Sequence, residues 1–183
     1  DYITTPVNKK NDIPAEYRGT PIGSLLEYHN LHSRFKTYSQ ARLLIGMCMD
    51  NRKHLHIPEN FAFIIRSGGA NLRYSYFEVS YAIAVGKVRH IALIGHNHCA
   101  MVNLILRREE FINGLIERAG WKKEDATDHF MNLAPMHEIG NEIEFIISET
   151  YRLRKRYPNI KVAPLHYRVE DNRLYCVREK NRS

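Results

Sequence analysis

The chain has 183 residues, 44% of them hydrophobic and 26% charged, which is enough for one well-buried domain and short for two. No apolar run approaches the ~20 residues that span a bilayer, and the polar start Asp1-Tyr-Ile-Thr-Thr lacks the pattern of a signal peptide, so no membrane partner is expected. A net charge of +7 invites nucleic acid, but no nucleic-acid motif accompanies it, and the cluster Arg152-Leu-Arg-Lys-Arg156 reads as the solvated end of an amphipathic helix.

In chain order, residues 1–22 carry Pro6, Pro14, Gly19 and Pro21 among polar residues and read as an extended arm. Residues 23–41 are expected to be helical, with Ser24 and Glu27 forming a capping box. Strands are expected at Arg42–Met47 and Phe61–Ile65, joined through a loop that Pro58 keeps out of the helical region. The turn Arg66-Ser-Gly-Gly-Ala-Asn71 leads into a helix over Tyr74–Val85 with Gly86 as its cap. Val88–Ile94 is a third strand, and the apolar positions from Met101 to Ile116 suit one or two helices ending near Gly120. Trp121–Leu133 is a short helix with an acidic start.

The stripe Ile139, Ile143, Ile146, Ile147, Thr150 predicts a further helix before Pro158. Ile160–Val169 and Leu174–Val177 read as a terminal hairpin around Glu170-Asp-Asn172. Strands separated by helices define an α/β fold: a mainly parallel central β-sheet flanked by helices, with a C-terminal antiparallel edge strand. Residues 23–183 form one such domain.

Two apolar runs, Leu43–Met47 and Ile91–Ile94, end in residues that bind metals. A strand buried on both faces belongs to a parallel sheet, and ligands of such sheets gather at the strands' carboxyl ends. Three cysteines are an odd and low count for a disulfide framework, which points to a reducing, cytoplasmic setting and leaves the thiols free. Cys48, His96 and Cys99 supply the three N and S ligands of a catalytic zinc site with one position open. His98 reads as a hydrogen-bonding neighbour; as a fourth ligand it would close the site. Asp50 and Arg52 are either a surface pair or, given their distance of two and four residues from Cys48, functional groups. Cys176 reads as a thiol without a role.

The segments Cys48-Met-Asp-Asn-Arg52, His96-Asn-His-Cys99 and Arg66-Ser-Gly-Gly-Ala-Asn71 resemble the C-x-D-x-R, H-x-x-C and R-N-x-G-N motifs of the β-class carbonic anhydrases, over about residues 40–178. Ala100 stands where that family usually has Gly, and Ser67 where it has Asn. The resemblance implies one Zn2+ per chain on Cys48, His96 and Cys99, with Asp50 and Arg52 as the catalytic dyad. It implies reversible hydration of CO2 to bicarbonate by a zinc-bound hydroxide. The family also contains carbonyl sulfide and carbon disulfide hydrolases on the same site, and a non-catalytic zinc protein of the same fold is a further alternative. Ser67, Gly68, Gly69, Ala70 and His98 are expected to line the substrate pocket. A homodimer or higher homo-oligomer is implied, with the arm packing on a partner.

Overall fold

The computed structural model describes residues 2–179. Six strands form one sheet: β1 (Tyr2–Pro6), β2 (Leu43–Met47), β3 (Ala62–Arg66), β4 (His90–His96), β5 (Lys161–Arg168) and β6 (Arg173–Glu179), in the spatial order β1-β6-β5-β4-β2-β3. β3, β2, β4 and β5 run parallel, whereas β6 pairs antiparallel with both β5 and β1. Five helices connect or cover the strands: α1 (Pro21–Leu31), α2 (Tyr76–Ala84), α3 (Arg108–Ala119), α4 (Lys123–His137) and α5 (Glu142–Arg156). The expected mainly parallel α/β sheet is present.

Alternation along the central strands sorts side chains between two cores. Leu43, Ile45 and Met47 of β2, with Ala92 and Ile94 of β4, pack beneath Leu25 and Leu26 of α1. Leu44 of β2, with Ile91 and Leu93 of β4, packs against Val79 of α2 and Ile146 and Leu153 of α5. Side chains of opposite parity therefore face opposite layers, and both faces of β2 and β4 are dry. α3 and α4 form a satellite pair around Ile112 and Phe130.

Several expectations need correction. α1 starts earlier and stops earlier than the expected helix: Thr20 is its N-cap, accepting from the Gly23 N–H, and Pro21 takes the first position, where its missing N–H costs nothing. His32 closes the helix in the left-handed region at φ 51°, and the chain beyond is irregular. Aromatic packing holds that segment instead, with Tyr28 edge-on to Phe35 and its hydroxyl 2.6 Å from that of Tyr38.

β6 is antiparallel as expected but is not the edge. The arm supplies β1, which pairs with it from Tyr2↔Glu179 to Pro6↔Tyr175 and takes the outer position. Ile139 also lies outside the helix whose stripe it is expected to begin. It makes an isolated bridge to Val102 and is buried beside Cys48 and Cys99, while Asn141 caps α5 by accepting from the Ile143 and Glu144 N–H groups. The Arg152–Arg156 cluster is only partly solvated: Arg152 pairs with the fully buried Glu149, and Arg154 donates to the Val162 carbonyl.

Candidate metal centre

β2 and β4 are parallel neighbours in the register Met47↔Ile94, so the residues that follow each strand emerge at one edge of the sheet. Cys48 is the first residue after β2, His96 the last of β4, and Cys99 lies three further on. Their ligand atoms all lie within 4.8 Å of one another, and all three residues are buried. Gly95 makes the approach of α5 to this edge possible, since a Cβ there would meet Ile146 Cγ1 at 2.6 Å.

The protonation pattern of the three suits a metal. His96 Nδ1 is 2.7 Å from the Asn97 carbonyl, an acceptor only, so Nδ1 carries the proton. Nε2 then presents its lone pair, and it is a buried nitrogen without a hydrogen-bond partner. Fixing the tautomer through the other ring nitrogen is how proteins prepare a ligating histidine. The Cys48 thiol is held far below its ordinary pKa, first by hydrogen bonding from Cys99 and then from the Asp50 and Gly69 N–H groups; the Gly69 N–H lies 3.3 Å from Sγ. Cys99, hydrogen-bonded to that thiolate, is pushed up. Thiols bind a metal as thiolates, so a divalent cation held here would displace protons from the sulfurs. Two sulfurs and one imidazole form a soft donor set that fits zinc and disfavours Mg2+ or Ca2+.

Two arginines hold the surrounding loops. Arg66, at the end of β3, donates from Nη1 to the Cys48 carbonyl (3.0 Å) and from Nη2 to the Lys53 carbonyl (3.1 Å), so it brackets the 48–53 loop at both ends. Arg52 donates to both Asp50 oxygens, from its backbone N–H and Nε to Oδ1 (2.9 and 3.1 Å) and from Nε to Oδ2 (3.0 Å). Its Nη2 also reaches the His98 carbonyl at 2.9 Å, which ties the loop after β2 to the loop after β4. Hydrogen bonding from Arg52 holds the Asp50 carboxyl well below the usual carboxylate range.

The turn after β3 touches the centre through Gly69. Ser67 Oγ donates to the Asn71 carbonyl, Gly68 faces Met101, and Ala70 is buried at φ 61°. The His98 side chain is directed elsewhere: its Nε2 is 2.8 Å from Glu170, a carboxylate also bound by Asn97 and thereby lowered to about 2. Neither Asp50 nor His98 joins the metal-ligating cluster among the described residues. Three neighbours escaped the sequence reading. Glu142 accepts from the Cys99 N–H at 3.4 Å, Glu170 anchors the hairpin to the loop after β4, and Lys53 lies beside Asp50. Only Lys53 had a local signal, a charge directly after the C-x-D-x-R segment. Cys176 is buried and its thiol is pushed up to about 12 by desolvation. An open apolar groove of about 580 Å3, lined by Ala100, Met101, Leu104, Phe111 and Leu115, runs alongside the loop that carries Cys99.

A mainly parallel α/β sheet with a Cys–His–Cys cluster at the carboxyl ends of two central strands is therefore the class of protein in hand. The chain has the β-carbonic anhydrase fold. It is similar to the β-carbonic anhydrase isoform I of Trichomonas vaginalis, at 18% identity and a TM-score of 0.63, over 79% of this chain and 87% of that one. The carbonic anhydrase of Streptococcus mutans aligns at 17% identity and a TM-score of 0.57, over 84% and 92%. A carbon disulfide hydrolase aligns at 22% identity and a TM-score of 0.55, over 79% and 80%. No family model matches the sequence, and no curated protein matches it.

Proposed function

We propose that the chain is a zinc lyase of the β-carbonic anhydrase family that interconverts CO2 and bicarbonate. The observation that carries this reading is the convergence of Cys48 Sγ, Cys99 Sγ and the proton-free His96 Nε2 beside a carboxylate that belongs to no ligand set. A zinc ion held by those three atoms would supply the Lewis acidity that brings the pKa of water down towards neutrality. The Asp50 carboxylate acts as the acceptor for the reacting water, orienting its lone pair at the carbon of CO2. Arg52 keeps that carboxylate ionised and fixed in direction, since a hydrogen-bonded cation favours the charged form. The Gly69 N–H stabilises negative charge on Cys48, and the turn Ser67, Gly68, Gly69, Ala70 borders the pocket, with the His98 carbonyl holding Arg52.

A second reading, hydrolysis of carbonyl sulfide or carbon disulfide on the same centre, is favoured by the likeness to a carbon disulfide hydrolase and by the apolar groove at Ala100 and Met101. Stopped-flow CO2 hydration by zinc-replete protein, run beside a sulfide-release assay with carbonyl sulfide, separates the two. Hydration without sulfide release is the expected result; sulfide release alone would replace the first reading with the second. A zinc-replete protein inert in both assays would leave the third, a non-catalytic zinc protein. Its closed coordination shell would need Asp50 or His98, both of which are bound elsewhere.

We further propose a cytoplasmic homo-oligomer. Described helices include none long and apolar enough to cross a membrane. The edge strand β3 and the neighbouring α2 leave Phe63, Ile64, Phe77, Tyr81 and Val85 exposed, an apolar face that a second subunit would cover.

A further inference from the structure

Lys53 is an anomaly that the ligand set and the Asp50–Arg52 pair do not explain. Its side chain has no exposed surface, and its ammonium has no hydrogen-bond partner among the described residues. Asp50 Oδ2 lies 3.5 Å from the ammonium, and burial lowers the Lys53 pKa against the opposing charges of Cys48 and Asp50. A buried ammonium without hydrogen bonds is costly, and an apolar side chain of the same length would fill the space without that cost. Such groups persist in native proteins where they serve function at the expense of stability.

The position is also built. The Lys53 backbone carbonyl is tied to Arg66, the residue that holds the Cys48 carbonyl, so the base of the side chain is fixed relative to a metal ligand. Asp50 then lies between two cations of different character. Arg52 grips it from the solvent side with a half-exposed side chain, and its Coulombic hold is open to screening by salt. Lys53 faces it from the protein side, where salt does not reach.

We propose that Lys53 is a positioning residue for Asp50, holding the carboxylate from within while Arg52 holds it from without. This rests on the catalytic reading of Asp50 given above. Lys53 lies outside the Cys48–His96–Cys99 cluster, and its ammonium restricts where the Asp50 oxygens can go.

The test compares wild type with Lys53→Met and Lys53→Arg, all zinc-replete. Lys53→Met should keep its zinc, melt at the wild-type temperature or above, and lose about tenfold or more in kcat with little change in KM. Its crystal structure should show the Asp50 carboxylate displaced or split, and Lys53→Arg should recover part of kcat. Unchanged kcat with Asp50 in its wild-type place would overturn the proposal. So would zinc lost in step with activity, which would make Lys53 a counter-charge to the thiolates instead. If wild-type protein is inert towards both CO2 and carbonyl sulfide, the catalytic reading fails. The position of Asp50 in Lys53→Met still decides whether Lys53 holds it.

Discussion

His96 donates from Nδ1 to the carbonyl of Asn97, its own neighbour in sequence, at 2.7 Å. That one bond sets the tautomer and turns the Nε2 lone pair towards two sulfurs. Asn97 is in turn locked from outside, its Oδ1 accepting from the Val169 N–H and its amide donating to Glu170. The His96 ring is thus oriented by the hairpin at the far end of the chain.

If Cys48, His96 and Cys99 hold zinc as proposed, removing any one of them should remove the metal. Cys48→Ala, Cys99→Ala and His96→Ala are expected to purify with little zinc and no hydration activity. Elemental analysis of each variant against wild type checks this, and a variant that retains one zinc per chain would show that the cluster is not the ligand set.

Asp50→Asn should separate metal binding from turnover. Its amide still fits the space but no longer accepts as a carboxylate, and loss of a positioned acid–base group costs about 10²–10⁴-fold. Zinc content is expected to stay at one per chain while CO2 hydration falls by that order. Near-normal turnover would remove Asp50 from the mechanism.

Gly95→Ala tests the closeness of α5 to the end of β4. The added methyl would sit 2.6 Å from Ile146 Cγ1 and 3.3 Å from its Cδ1, so the helix or the strand end must move. Overpacking of this kind costs about 1–3 kcal/mol, to be read from urea denaturation. Because His96 follows directly, zinc affinity should weaken as well.

His166, paired with Gly95 in the β4–β5 register, provides a pH test. Burial lowers its pKa to about 4, against the opposing charge of Glu142, and its Nδ1 has no partner. The folded state keeps the ring neutral, whereas the unfolded chain takes up the proton below about 6.5. The His166 contribution to stability should be constant above that pH, fall as the pH drops towards about 4, and flatten below it, losing up to about 3 kcal/mol. Denaturation of wild type and His166→Gln across this window should show the slope reduced in the variant.

The sequence by itself determined the parts whose physics is local. Aliphatic runs of strand length, broken by helical stripes, specify a parallel sheet, and a thiol or imidazole at the end of such a run must emerge at the sheet's carboxyl edge. That made Cys48, His96 and Cys99 legible as a group, with Asp50 and Arg52 beside them. The tertiary structure decided what depends on partners distant in the chain. Tyr2–Pro6 has strand-compatible residues, but nothing local names its partner about 170 residues on, so only contact with β6 makes it the outer strand. Residues 32–41 have helix-compatible composition, yet Tyr28 draws Phe35 and Tyr38 out of any helix. Ile139 fits the stripe of α5 but is worth more buried against two cysteines than on a helix face. Lys53 is the sharpest case. A lysine alone reads as solvent-exposed, because the cost of burying its charge is large; only the fold covers this one completely and sets it 3.5 Å from Asp50.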